Sequence, residues 1–171
     1  MKKTDSLLDF KTINCTQKNI VGLSSKLTDS QTQNFILISN LWKRFNREIH
    51  RIENRSVTRE NWEKYGVMYR KKDDLYYLAG IEQKKEMVVP ENMESIIIPS
   101  GNYACFEHTG RLDEIRTTLE KSYNTLKFHP EKQGIIHFEK YDKRFHWNRL
   151  DSVIEIWMFL QEETSPDLSH C

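Results

Sequence analysis

The sequence predicts an α+β fold made of two βαββ units. Two observations carry this. Ile38, Leu41, Trp42, Phe45 and Ile49 form one apolar stripe at helical spacing, and Leu112, Ile115, Leu119, Tyr123 and Leu126 form a second. Each stripe has a strand-like segment before it and a pair of strand-like segments after it. The order strand, helix, hairpin therefore occurs twice, in units of about 75 residues that repeat in structure rather than in sequence. Two helices against antiparallel strands make an α+β arrangement.

Residues 1–9 read as a lead-in. Residues 10–27 read as one long strand, or as two pieces broken near Gln17-Lys18-Asn19. Thr28-Asp29-Ser30 supplies side-chain oxygens that can accept from free N–H groups of a first helical turn, so the first helix spans about 30–51. Residues 52–63 are polar and irregular, with Trp62 expected as a cover on the core. Tyr65 to Arg70 and Leu75 to Glu86 are the two strands of a hairpin turned by Lys71-Lys72-Asp73-Asp74.

The second unit begins with a short apolar piece in Met93–Pro99. Pro99-Ser100-Gly101 turns the chain into a strand over 102–108. The second helix covers about 112–127, and Pro130 and Gly134 mark the loop after it. Ile136 to Tyr141 is a strand, 142–151 a polar loop, and 152–161 the last strand. The tail 162–171 is polar. The expected division is a lead-in over 1–9, one domain over 10–161 and a tail over 162–171.

Composition excludes several classes. With 26 Lys+Arg against 25 Asp+Glu, the net charge of +1 gives no basic surplus to neutralise phosphates. An aromatic content of 11% with so small a net charge argues against disorder. No apolar run approaches the roughly 18 residues that cross a bilayer, and Asp5 and Asp9 interrupt any signal-peptide core. Cys15, Cys105 and Cys171 are odd in number and widely spaced, which suits reduced thiols and a cytoplasmic location, with Cys171 an exposed thiol.

The usual chemical motifs are missing. His50, His108, His129, His137, His146 and His170 form no HxxxH and join no CxxC pair, so no metal and no cofactor is expected. There is no GxGxxG, no GxxxxGK[ST] and no GxSxG. Cys105 and His108 lie three apart in or near a strand, hence on opposite faces, and Cys105 reads as a buried structural thiol. The basic residues of the first helix are interleaved with acids and read as a solvated face.

Glu155 is the most informative residue. In Val153–Leu160, alternation puts Val153, Glu155, Trp157 and Phe159 on one face and Ile154, Ile156, Met158 and Leu160 on the other. A carboxylate beside aromatic rings costs free energy unless it is paired or protonated. Such a group can hold a cationic ligand or act as an acid or base. The alternative is an edge strand with Glu155 facing water. Tyr69, Tyr77, Tyr103, Phe106, Phe138, Tyr141, Trp147 and Trp157 form the aromatic set from which walls could be drawn, most of it assigned to the core.

Three pieces carry a family resemblance. Pro99-Ser100-Gly101-Asn102-Tyr103-Ala104-Cys105-Phe106-Glu107-His108-Thr109-Gly110 resembles the Pro-x-Gly-x-Tyr-Ala-x-Phe-x-His-x-Gly signature of GyrI-like effector-binding domains. These domains are also found as the ligand-binding halves of BmrR- and Rob-type transcription regulators. Glu139-Lys140-Tyr141-Asp142 and Glu155-Ile156-Trp157 resemble the family's Glu-x-Tyr-Asp and Glu-Ile-Trp/Tyr-x-Pro endings, except that Phe159 stands where the family often has Pro. The resemblance implies a SOUL-like fold with pseudo-twofold symmetry and a central ligand groove. It implies Glu155 as the groove acid, with Trp157, Phe106, Tyr141, Tyr69 and Tyr77 as aromatic walls.

The function this implies is binding of a hydrophobic or cationic small molecule, with no direct nucleic-acid or membrane contact. Fewer than ten residues precede the fold, so the expectation is a module without a DNA-reading half. Two alternatives stay open. One is a hydrolase of cyclopropane-type toxins using Glu155 and Tyr141. The other is an interaction protein with a protein partner, of the DNA gyrase inhibitor type.

Overall fold

The computed structural model describes residues 7–52, 63–84, 87–127 and 131–161. Trp62, the end of the hairpin strand at Glu86, most of the lead-in and the whole tail with Cys171 lie outside them. The described residues form eight strands and two α-helices: β1 Lys11–Cys15, β2 Lys18–Lys26, α1 Gln31–Glu48, β3 Lys64–Lys71, β4 Asp74–Glu82, β5 Glu94–Ile98, β6 Gly101–Thr109, α2 Ile115–Leu126, β7 Ile135–Tyr141 and β8 Val153–Phe159. Residues 10–27 are thus two strands, broken at Thr16-Gln17. Each βαββ unit gains a short strand in front, β1 in the first half and β5 in the second.

The caps follow the sequence. Ser30 Oγ accepts from the Gln33 N–H at 3.3 Å. Asn34 Oδ1 accepts from the Thr28 N–H at 2.7 Å, and its amide donates back to the Thr28 carbonyl at 2.8 Å. The first contact satisfies a donor that a helix start leaves open, and the second pair ties the incoming chain to the first turn. Leu41 and Phe45 are buried from α1, with Ile38, Trp42 and Ile49 packed beside them.

All strands join one antiparallel sheet in the order β1-β6-β8-β7-β3-β4-β2-β5. Exchanging the two halves of the chain, β1 for β5, β2 for β6, β3 for β7 and β4 for β8, reverses this order. A pseudo-twofold axis therefore passes between β7 and β3. The halves also trade their first strands. β1 pairs with β6 of the second half, and β5 pairs with β2 of the first.

This order forces the sheet to curl. β1 and β2 stand six strand spacings apart, about 29 Å if the sheet were flat. Only Thr16 and Gln17 join them, so Cys15 and Lys18 are at most about 11 Å apart. The two edges therefore fold toward each other into a half-barrel. α1 and α2 cover the outer face over two clusters, one around Phe45, Tyr77 and Leu23 and one around Phe106, Ile156 and Met158. The inner face buries a third cluster that includes Tyr65, Tyr103, Phe138, Trp157 and Cys15. Each such side chain contributes about 1.5–3 kcal/mol when fully buried.

Candidate ligand site on the inner face

Strand register sorts the inner face into rows. Glu107, Glu155, Lys140 and Tyr65 lie side by side across β6, β8, β7 and β3. The next row is Cys105, Trp157, Phe138 and Val67. A polar ledge thus borders an apolar floor. Trp157 and Phe138 stack with ring centroids 5.4 Å apart, and Tyr103 meets both edge-on. A cavity of about 180 Å³ opens over these rings. Tyr65, Phe138, Lys140 and Trp157 line it from the sheet. Asn14, Cys15, Thr16 and Lys18 line it from the β1–β2 crossing.

Glu107 and Glu155 are like charges directly opposite each other, which is unfavourable by itself. Arg144, from the loop after β7, resolves the conflict. Its guanidinium donates to Glu155 Oε2 at 3.0 Å, to Glu107 Oε1 at 3.2 Å and to both Asp142 oxygens at 2.9–3.1 Å. Trp157 Nε1 donates to Glu155 Oε1 at 3.2 Å. Burial alone would push the Asp142 carboxyl up, but its hydrogen bonds from Arg144 hold it below the ordinary range. Three carboxylates share one guanidinium.

The structure divides the residues singled out in the sequence between two faces. Glu155, Trp157 and Tyr69 are on the inner face. Tyr69 lies farther along it, stacked on Tyr76 and donating to Glu94 Oε2 at 3.1 Å. Phe106, Tyr77 and Tyr141 are on the outer face, under the helices, and do not line the cavity. The cause is strand alternation, because each is an odd number of residues from an inward-facing neighbour on its own strand. Phe106 packs in the α2 cluster and against Phe10, with ring centroids 5.2 Å apart. Cys105 and His108 are likewise separated. Burial pushes the Cys105 thiol up to about 12, and buried His108 bonds Thr118 and the Arg111 carbonyl.

The sequence reading missed the most buried carboxylate, Glu139. It lies on the outer face at 6% exposure. Glu139 Oε2 accepts from Tyr77 Oη at 2.7 Å and from Tyr141 Oη at 2.8 Å, and Trp42 Nε1 of α1 donates to Tyr77 Oη at 3.1 Å. His137 Nε2 lies 3.6 Å from Glu139 Oε1, and the other nitrogen of that ring meets Tyr123 of α2 at 2.5 Å. The signal was present: alternation along Ile136–Tyr141 puts His137, Glu139 and Tyr141 on one face. Among the described residues, no three His, Cys, Asp or Glu side chains are placed to hold a metal ion. None of the described helices is long and apolar enough to cross a membrane.

A family model described as the GyrI-like small molecule binding domain matches residues 9–160. The chain belongs to this GyrI-like family. A relative among characterised proteins is the transcriptional regulator BrlR of Pseudomonas aeruginosa, 30% identical over 111 residues. That alignment covers 63% of this chain and 40% of the regulator, so the chain spans less than half of that relative's length. Among solved structures, SAV2435 bound to tetraphenylphosphonium superposes with a TM-score of 0.67 at 16% identity, covering 88% of this chain and 93% of that one. EcmrR, in its complex with DNA, superposes with a TM-score of 0.63 at 15% identity, covering 92% of this chain and 59% of that one. At these identities the two structures establish the GyrI-like fold, a curled antiparallel sheet with two helices. The family model and the regulator relative establish a small-molecule-binding domain related to the effector-binding halves of transcription regulators.

Proposed function

We propose that this GyrI-like domain binds amphipathic organic cations on its inner face, with Trp157 and Phe138 taking the apolar body and Glu155 countering the charge. The observation that carries this reading is the sharing of Arg144 by Glu107, Asp142 and Glu155. One guanidinium against three carboxylates leaves a negative surplus beside an indole, and an aromatic face next to a carboxylate attracts a cation. The cavity is large enough for one ring, since an apolar cavity of roughly 150 Å³ takes up benzene. The fold similarity to SAV2435, whose structure holds a lipophilic cation, supports the same class of ligand.

The test is calorimetric titration with benzylamine and benzyl alcohol, which share a ring and differ in charge. Wild type should prefer the amine. Glu155→Gln should weaken the amine by about tenfold or more, the range of a hydrogen bond to a charged group, and leave the alcohol unchanged. Equal amine affinity in the two proteins would remove the counter-charge role.

A further inference from the structure

We infer that the inner cavity is bipolar, with the pair Lys18 and Lys140 forming a second recognition element for an acidic group. The preferred ligand class is then a single-ring aromatic zwitterion, with its cationic group toward Glu155 and its acid toward the lysines. This rests on the cation-binding reading for the Glu155 end and adds an independent claim about the other.

Lys18 and Lys140 are the charged residues that line the cavity itself. They come from β2 and β7, which meet here only because the curl brings the β1–β2 crossing over the sheet. Together with Cys15 and Thr16 of its roof, both lysines line the same cavity. Their side chains are about a quarter exposed, at 24% and 23%, so the positive charge is only partly dissipated in solvent.

Their present partners are exchangeable. Lys18 pairs with Glu82 at 3.7 Å and Lys140 with Glu63 at 3.4 Å, and those acids are 42% and 51% exposed. Ion pairs with such exposed acids contribute little, so a ligand carboxylate can replace Glu82 and Glu63 at small cost. Lys140 is also the cross-strand neighbour of Glu155, yet its ion pair is with Glu63, while Glu155 is held by Arg144. The negative and positive elements thus sit in one row beside the stacked Trp157–Phe138 floor but keep separate partners, Arg144 for Glu155 and Glu63 for Lys140. Asn14 and Thr16 add neutral polar groups on the lysine side.

The experiment uses four ligands on one ring: benzyl alcohol, benzylamine, benzoate and 4-(aminomethyl)benzoate. Affinities are measured for wild type, Glu155→Gln and the double variant Lys18→Met/Lys140→Met, each first checked for a native melting transition. Wild type should bind the zwitterion at least tenfold more tightly than benzylamine. The lysine variant should lose that preference and lose benzoate, while binding benzylamine no more weakly than wild type, because two repelling cations have been removed. Equal affinity of wild type for benzylamine and the zwitterion would overturn the inference, as would a preference that survives removal of both lysines. The cation reading is scored separately, by the benzylamine affinity of Glu155→Gln. A protein that needs Glu155 for benzylamine and ignores the carboxylate keeps that reading and loses this one.

Discussion

Gly66 and Glu139 face each other across β3 and β7, on the strand pair that the pseudo-twofold axis divides. A Cβ at position 66 would lie 1.9 Å from Tyr77 Oη and 2.8 Å from Glu139 Oε2. The missing side chain is the space in which the phenol and the carboxylate meet. Gly66→Ala should therefore destabilise the domain by at least the roughly 1–3 kcal/mol typical of overpacking, because the network must break or the strands must part. Urea unfolding measures this. A shift under about 0.5 kcal/mol, the scatter of neutral surface changes, would mean that the Tyr77–Glu139 contact is loose.

The same network gives a prediction in base. Burial, then the neighbouring Glu139 carboxylate, push the phenols of Tyr77 and Tyr141 well above their ordinary range. A raised folded-state pKa stabilises the protein fully below the unfolded value, near pH 10, and that stability is lost as pH rises further. Absorbance at 295 nm should show these two tyrosines titrating only together with unfolding. Reversible titration in the folded protein at ordinary tyrosine pH would contradict their burial against Glu139.

How much of this was legible in the sequence follows from which forces are local. The helical stripes, the Thr28–Ser30 cap and the alternation of β8 depend on neighbours in sequence, and the folded chain keeps them. Trp157 does share a face with Glu155. The traded first strands were not legible, because the pairing of Lys11 with Cys105 joins residues 94 apart and depends on sheet closure. Phe106, Tyr77 and Tyr141 went to the outer face for a related reason. Alternation tells which residues of one strand share a face, but only the packed helices decide which face is the groove. Glu139 was overlooked beside Glu155 although the same alternation applied to it. What set it apart, two phenols arriving from β4 and from its own strand, exists only in three dimensions.

Removing Arg144 should produce a pH-dependent loss. Asp142 is held below the ordinary carboxylate range despite its burial, through hydrogen bonds from Arg144. A depressed folded-state pKa contributes stability above the unfolded value, near 3.9, and that stability is lost as pH falls through the folded one. Arg144→Met should cost about 1 kcal/mol at pH 7, a modest figure because the Arg144 side chain is 38% exposed and its charge partly screened. The difference from wild type should shrink toward pH 2, as Asp142 protonates and its bonds from Arg144 weaken. Denaturant midpoints compared at the two pH values check this, and an equal loss at both would point to packing rather than charge.

The two buried thiols report on the integrity of the inner face. Burial pushes Cys105 up to about 12, and Cys15 is also raised. At pH 8 the thiolate fraction of Cys105 is then on the order of one in ten thousand, against roughly a quarter for a free cysteine. Only the thiolate is alkylated, so iodoacetamide should leave both residues unmodified in the native protein and label both in urea. Peptide mass spectrometry separates the two sites. The strand partner of Cys105 on β1 is Lys11, and Cys15 closes the same short strand. Rapid native labelling of both would therefore mean that β1 detaches from β6 and that the inner cavity opens at that edge. Labelling of Cys15 alone, suppressed by benzylamine, would instead place the ligand's entry at the β1–β2 crossing.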